Sequence, residues 1–295
     1  MSIKVSVYAK LKMIIYNNFL LLHDIALLHT SRVIMKKKKK YNRNEEFQPL
    51  VFVYIPTYNR GTVLIERSVA SVLRQSYKNF KLFVIGDGCT DDTEKLLSEI
   101  EDDRLSFINI FPRKDRKYPD VPFYHWIMGA TIPANYALSI VTSEYDYIAR
   151  VDDDDVWKED HLELSLLFIK ENNIEFMTSN QSYTDNNGNT TISKARHVKD
   201  EYYTQKPTPE MNRGPRIGGM SSIVYASYLS FIKFNKYAWL KKWNAVNDVD
   251  FLLRNYKVGV KMGFSEKVLS STTPLPGRSN FGSKGIEDKK DHELY

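Results

Sequence analysis

Cys89 is the single cysteine in a chain of 295 residues. Its solitude excludes an internal disulfide framework and a Cys-based zinc site, and it is compatible with a reducing, cytoplasmic location. No internal repeat is evident, and no second full domain is needed. Long unbroken apolar runs are also missing. Phe19-Leu20-Leu21-Leu22 is interrupted by His23-Asp24 before Ile25-Ala26-Leu27-Leu28 resumes, which argues against a transmembrane helix. A basic block follows that stretch instead of preceding it, and no small-residue cleavage site is evident, the wrong order for a secretory signal. Basic residues are scarce where a nucleic-acid footprint would need them. The net charge is +6, but residues 1–40 carry nine Lys or Arg against Asp24 alone, a net +8, which leaves −2 for residues 41–295. A nucleic-acid partner is therefore not expected.

What remains is ordinary globular composition, 42% hydrophobic and 26% charged, on a chain long enough to bury a substantial core. Its organising stretch is Val151-Asp152-Asp153-Asp154-Asp155-Val156-Trp157. Tyr145, Tyr147, Ile148 and Ala149 read as a buried strand before it. Trp157 opens a helical pattern after it, with Leu162, Leu166 and Ile169 on one face. Four carboxylates at a strand end repel one another unless a cation shares the site. Oxygen ligands suit hard divalent ions, Mg²⁺ or Mn²⁺, that bridge protein carboxylates to substrate phosphates. A solvated acidic loop is the bland alternative. A calcium loop is not, because the Gly and the distant Glu of an EF-hand are missing.

The ordered domain is expected from about Leu50. Val51–Ile55 is an apolar strand ended by Pro56-Thr57-Tyr58-Asn59-Arg60-Gly61. Ile65, Val69, Val72 and Leu73 follow at helical spacing. Phe80–Ile85 is a second strand running into Gly86-Asp87-Gly88-Cys89-Thr90-Asp91-Asp92-Thr93, where Thr90 or Asp91 can cap the next helix. Leu105–Ile110 is a third strand, so strand and helix alternate as in a doubly wound sheet. A long irregular loop containing Pro112, Pro119, Pro122 and Pro133 spans 111–133, and Pro133 suits the first turn of the helix after it. Asn187-Gly188 marks a hairpin turn. Gly218-Gly219 permits close backbone approach. Asn247-Asp248-Val249-Asp250 stands at the start of a helix from Phe251 to Tyr256. Thr272–Tyr295 reads as a mobile lid or tail.

These blocks, in this order, resemble a family 2 glycosyltransferase of the GT-A fold from Val51 to about Phe264. Ile55–Arg60 looks like the first-strand block bordering the donor nucleotide. Ser71–Tyr77 with Asn79-Phe80 looks like the helix that follows, Gly86–Thr93 the turn that reads the nucleobase, and Val151–Trp157 with His161-Leu162 the DXD block. Each pattern is weak alone; the ordered set is strong. The resemblance implies an α/β fold, a Rossmann-like mixed sheet with helices on both faces. It also implies a metal-dependent inverting transfer of sugar from a nucleoside-diphosphate donor, a UDP-sugar favoured, to a hydroxyl of a glycan or lipid-linked saccharide. By the same resemblance Pro56, Thr57, Tyr58, Asn59, Arg60, Asp87, Asn135, Asp152 and Asp153 would bind substrate. Asp152 and Asp154 would hold Mn²⁺ or Mg²⁺, and Asp248 would be the catalytic base with Asp250 in reserve. Gly86, Ala134 and Asn247 depart from the family's usual residues.

The expected division is a poorly ordered basic and apolar extension over 1–46, a transferase domain over 47–270 and a tail over 271–295. The domain's donor half runs to about 157 and its acceptor half begins at 158. Three readings of the extension stand open: a solvated tail, a peripheral contact of Lys36 to Lys40 with anionic lipid worth roughly 1 kcal/mol per lysine, or sequence upstream of a start at Met35. Trp239 and Trp243 read as core before they read as sugar platforms. His125 and His161 read as surface or cap residues, and Arg278 and Lys284 as solvated loop charges. The rivals are a nucleotidyltransferase, whose Gly-rich basic loop Pro56–Gly61 does not match, and a degenerate non-catalytic scaffold that keeps a nucleotide pocket.

Overall fold

The computed structural model describes residues 7–41, 47–110, 122–192, 216, 218–241 and 246–275. At its centre lies β1 (Val51–Thr57), buried at every position. Strand geometry sends alternate side chains to opposite faces, and a strand covered on both faces is apolar throughout. Val51, Val53 and Ile55 accordingly enter one core and Phe52 and Tyr54 the other. Full burial of such a side chain contributes about 1.5–3 kcal/mol.

Flanking β1 in parallel are β2 (Phe80–Gly86) and β4 (Tyr147–Arg150), and β3 (Leu105–Asn109) extends the sheet beyond β2. A helix, α2, joins β1 to β2. It is α-helical over Gly61–Leu64, π-helical over Ile65–Val69 and α-helical again over Ala70–Leu73. Next come α3 (Thr93–Ser98), α4 (Pro122–Met128) and α5 (Thr131–Ser139). After β4 the chain forms β5 (Asp155–Trp157), α6 (His161–Asn172), β6 (Phe176–Thr184), β7 (Thr190–Ile192), β8 (Val224–Ala226), α7 (Asn247–Lys257) and β9 (Met262–Thr272). Among the described residues the sheet order is β3-β2-β1-β4-β8-β6-β9-β5, with β7 on β6. β8 runs antiparallel to both β4 and β6, so a parallel half meets a mixed half beside β4. Helices cover both faces: α5 and α7 contribute to one core, α2 and α6 to the other. The expected mixed α/β sheet is thus observed, and the Asn187-Gly188 turn joins the antiparallel β6 and β7.

Several local expectations are corrected. Trp157 ends β5, and the helix after it begins only at His161. Residues 122–128 of the expected irregular loop are helical, while the helix expected to follow the loop is present as α5 with Pro133 in its first turn. α7 starts at Asn247, four residues before Phe251. The expected tail overlaps the end of β9, which reaches Thr272. In place of a poorly ordered extension, Val7–Tyr41 forms one helix of 35 residues, α1. Its Leu28 joins the core, and its Arg32 grips the Glu175 carboxylate at 2.7 Å through Nε. The expectations for Pro112, Pro119, Trp243, Arg278 and Lys284 lie outside the described residues.

Candidate active site

The acidic stretch leaves the carboxyl end of β4 and folds into a turn before β5. β1 and β2 end beside it, because their register puts Tyr54 opposite Arg150 and Thr57 opposite Gly86. Ligands bind outside the carboxyl ends of strands in open α/β sheets. Pro56 and Thr57 are the last two residues of β1 rather than loop residues. Asn59 takes a left-handed conformation, φ 49°. Its side-chain Oδ1 accepts from the Thr90 amide at 2.8 Å and its Nδ2 donates to Thr90 Oγ1 at 3.2 Å, tying the first loop to the second. In that second loop Asp91, one residue before the Asp92 N-cap of α3, accepts from the Thr93 amide at 3.2 Å. Asp87 is buried just past β2, its amide donating to the Thr57 carbonyl at 2.9 Å.

The four carboxylates have separate surroundings. Asp153 is turned inward: Thr57 Oγ1 donates to it at 2.8 Å and Arg60 Nη1 at 2.8 Å. It therefore braces the first loop, where the sequence reading listed it among the substrate-binding residues. Asp155 is buried and accepts from Gln181 at 2.8 Å and from Ser221. Burial, with Asp154 and Asp152 adding, pushes its carboxyl well above the carboxylate range. Asp152 and Asp154 keep about a third of their side-chain surface in solvent, 33% and 29%. Arg60 reaches Asp154 at only 3.4 Å, so burial and the charges of Asp153 and Asp152 prevail and raise its carboxyl.

Arg150, whose side chain is 2% exposed, organises the cluster. Its Nη2 and Nε donate to Asp152 Oδ1 at 2.8 and 3.1 Å, and its Nη1 reaches Asp248 Oδ1 at 3.3 Å. The guanidinium lies 5.2 Å from the Phe234 ring centre, within cation–π range. Burial alone would lower its pKa, but Asp152 and Asp248 outweigh that and hold it protonated. Asp248, in the first turn of α7, is 31% exposed, and burial with the charge of Asp152 pushes it up to about 6 against the pull of Arg150.

Asn135, expected on the donor, spends its whole amide on Phe234: Nδ2 donates to the carbonyl at 2.9 Å and Oδ1 accepts from the amide at 2.7 Å. It supports the ring under Arg150. Asp250 is buried and paired with Lys241 and, at 3.8 Å, with Arg254, which removes it from reserve as a base. Asn247 donates to Thr131 Oγ1 at 2.9 Å. His161 is fully buried, stacks on Trp157 at 4.1 Å, and burial pushes its ring down to about 3, so it is a core residue. A cleft of about 600 Å³ lined by Arg74, Glu159 and Glu163 also touches Trp157 but none of the four carboxylates.

Sequence reasoning missed Arg150 and the scaffold beneath the acidic turn. Ser68 Oγ, in the π segment, donates at 2.7 Å to the Asp152 carbonyl and also lies 3.0 Å from that of Asp155. Arg67 donates to the Asp154 carbonyl at 3.1 Å and to those of Thr273 and Pro274 at 3.0 and 2.9 Å. π segments cluster at functional sites because the extra residue re-aims side chains. A cation inside an otherwise apolar strand was the one legible signal for Arg150.

Among the described residues no group of three or more His, Cys, Asp or Glu is placed to hold a metal. The donor set fits a divalent ion only as the half-open pair Asp152 and Asp154, completed by phosphate oxygens and water, the usual manner for Mg²⁺.

A parallel half-sheet presenting an acidic turn at its carboxyl ends, extended by a mixed half that brings in a second carboxylate, is the arrangement of a GT-A sugar transferase. The family model described as glycosyl transferase family 2 matches residues 52–229. The chain belongs to that family. It is 30% identical over 138 residues to the Escherichia coli UDP-Glc:alpha-D-GlcNAc-diphosphoundecaprenol beta-1,3-glucosyltransferase WfgD, covering 47% of this chain and 48% of that protein. It is also 30% identical over 156 residues to the putative teichuronic acid biosynthesis glycosyltransferase TuaG of Bacillus subtilis, 52% of this chain and 55% of the relative. The S. aureus TarS fragment 1–349 in complex with UDP-GlcNAc shares the fold with a TM-score of 0.54 at 17% identity, over 78% of this chain and 60% of that one. The chain spans from 18% to 56% of the length of the curated relatives it matches.

Proposed function

We propose that the protein is a metal-dependent inverting transferase that moves a sugar from a nucleoside diphosphate, a UDP-sugar favoured, to a hydroxyl of a glycan or lipid-linked saccharide in cell-surface glycan or lipopolysaccharide synthesis. The observation that carries this reading is Arg150, which joins Asp152 on the donor side to Asp248, 98 residues further along the chain. Two relatives point the same way: one is named for UDP-Glc and a diphosphoundecaprenol-linked acceptor, the other for teichuronic acid synthesis.

In this reading the loop from Pro56 to Arg60, with Asp87, forms the donor's nucleotide side. Asp152 and Asp154 would hold a divalent cation, Mn²⁺ or Mg²⁺, whose chemistry when bound is to neutralise charge on the departing diphosphate. Asp248 takes the acceptor hydroxyl proton as that oxygen attacks the anomeric carbon. The new C–O bond forms on the face opposite the leaving group, the bond to the diphosphate oxygen breaks with its electron pair, and the configuration inverts. A carboxyl pushed up to about 6 is a better proton acceptor than an ordinary aspartate and is still ionised near neutrality. The same reading has the work done in the cytoplasm at a membrane surface, with Lys36 to Lys40 in peripheral contact with lipid.

Asp248→Asn tests the assignment. The expected result is a loss of transfer of about 10²–10⁴-fold with nucleotide affinity unchanged, the signature of a missing general base. Transfer within threefold of wild type would remove Asp248 from that role.

A further inference from the structure

α1 is built inside out for a helix in water. Its inner face carries polar groups beside the core residue Leu28. Asp24 is buried and lies 3.0 Å from Arg254 Nε, Arg32 pairs with Glu175, and Asn17 accepts from Asn235 at 2.8 Å. Its outer face is mostly apolar, with Asn18 and His29 exposed within it. Ten of the fifteen exposed large hydrophobic side chains among the described residues belong to α1. Leu11, Ile15, Phe19, Leu22, Ile25 and Val33 are 43–70% exposed. At 3.6 residues per turn these six fall within an arc of about 120°. Scattered apolar residues on a surface need no explanation, but a contiguous stripe along a helix marks an interaction face. The same helix continues through Lys36 to Lys40, and residues 1–40 carry net charge +8.

We infer that the outer face of α1 lies in the plane of an anionic lipid bilayer, with its apolar stripe among the acyl chains and the net positive charge of residues 1–40 drawing it to the headgroups. Val7–Ile34 is long and apolar enough to cross a membrane by length and composition. The inner face decides against spanning. A helix holding Asp24 against Arg254 and Arg32 against Glu175 is bonded to a polar domain along its length, and those pairs would be broken on crossing. In-plane helices combine an apolar face with lysines on the polar side, and their binding scales with apolar area plus attraction to anionic lipid. Charge complementarity selects lipid over a second copy of this chain, whose α1 would bring the same +8. The inference rests on the proposed reading only for its purpose. Arg254, the partner of Asp24, sits on α7, the helix that carries Asp248, so docking would set the base at a fixed height above the surface where a lipid-linked acceptor is presented.

The test is co-sedimentation of the full chain with phosphatidylglycerol/phosphatidylcholine vesicles and with phosphatidylcholine alone. Wild type is compared with Ile15→Glu/Phe19→Glu/Leu22→Glu and with Lys38→Ala/Lys39→Ala/Lys40→Ala. Far-UV circular dichroism verifies the helix in each. The expected result is binding to the anionic vesicles that falls about tenfold in either variant. Part of the wild-type binding should survive about 1 M salt, where screening extends only about 3 Å, and alkaline carbonate should release it. Wild type left in the supernatant, or a triple-Glu variant with intact helix that binds as well as wild type, would overturn the inference. So would resistance to carbonate, which means a span, or a wild-type dimer that the Glu variant converts to monomer. Nucleotide titration on the same preparations reads the transferase assignment separately, so the failure of one leaves the other standing.

Discussion

At position 150 an arginine ends a strand whose preceding residues, Ile148 and Ala149, are fully buried and apolar. A buried guanidinium is tolerated only where charges and acceptors compensate it, and removing one partner of such a pair costs about 3–5 kcal/mol. Asp152 and Asp248 are those partners, which makes the position legible in hindsight as the link between two carboxylates distant in sequence. The sequence reading did name both acids, because an acidic run after a strand and an aspartate in a helix's first turn are local patterns. It could not place Asp153 and Asn135, whose roles depend on Thr57, Arg60 and the Phe234 backbone, partners set by tertiary packing. The pH dependence follows from Asp248. It acts ionised, so kcat at saturating donor should fall as pH drops through about 6. Arg150 pulls that value down, so Arg150→Gln should move the acid limb to higher pH in a stopped-time transfer assay across pH 5 to 8. A limb that stays in place would mean the titrating group is not in contact with Arg150.

Among the elements, the strands β1 to β4 were readable from apolar runs punctuated by Gly, Pro and Asp, and their boundaries came within a few residues. Short elements were not. β5 has three residues, Asp155-Val156-Trp157, and exists because β9 pairs with it 115 residues later at Thr272-Ser271-Ser270. α1 was misread because its apolar run is broken by His23-Asp24, and the burial of Asp24 against Arg254 is a tertiary fact. The segment Gly218-Gly219-Met220-Ser221 shows what its glycines are for. A Cβ on Gly218 would overlap the Ser179 carbonyl oxygen, and one on Gly219 would overlap the Gln181 amide that holds Asp155. Ser221, two residues on, accepts from the Asp152 amide at 2.9 Å. Gly218→Ala should therefore destabilise the protein by about 1–3 kcal/mol, the usual cost of forcing atoms into a packed site. Urea unfolding measures this; a midpoint equal to wild type would show that β6 yields freely.

In the molecule as a whole, the sheet divides the work. Its parallel half ends in the loops of β1, β2 and β4, where nucleotide chemistry belongs in an open α/β fold. Its mixed half and α7 bring Asp248 to the same rim, and α1 runs along the side that packs against α7. The order of blocks along the chain was enough to anticipate this plan, since connections in such folds are short and sequential elements are neighbours. The helical character of 7–41 and the docking of α1 were beyond it. The central claim is that Asp152 and Asp154 form, with a divalent ion, the phosphate end of a nucleotide-sugar site. Calorimetric titration of UDP, GDP and dTDP into the full chain, with Mn²⁺ and with EDTA, tests it in wild type and Asp154→Ala. The account predicts Mn²⁺-dependent binding, strongest for UDP, that EDTA and the substitution each abolish. Equal binding with Mn²⁺ and EDTA, or none by any nucleotide, would contradict it.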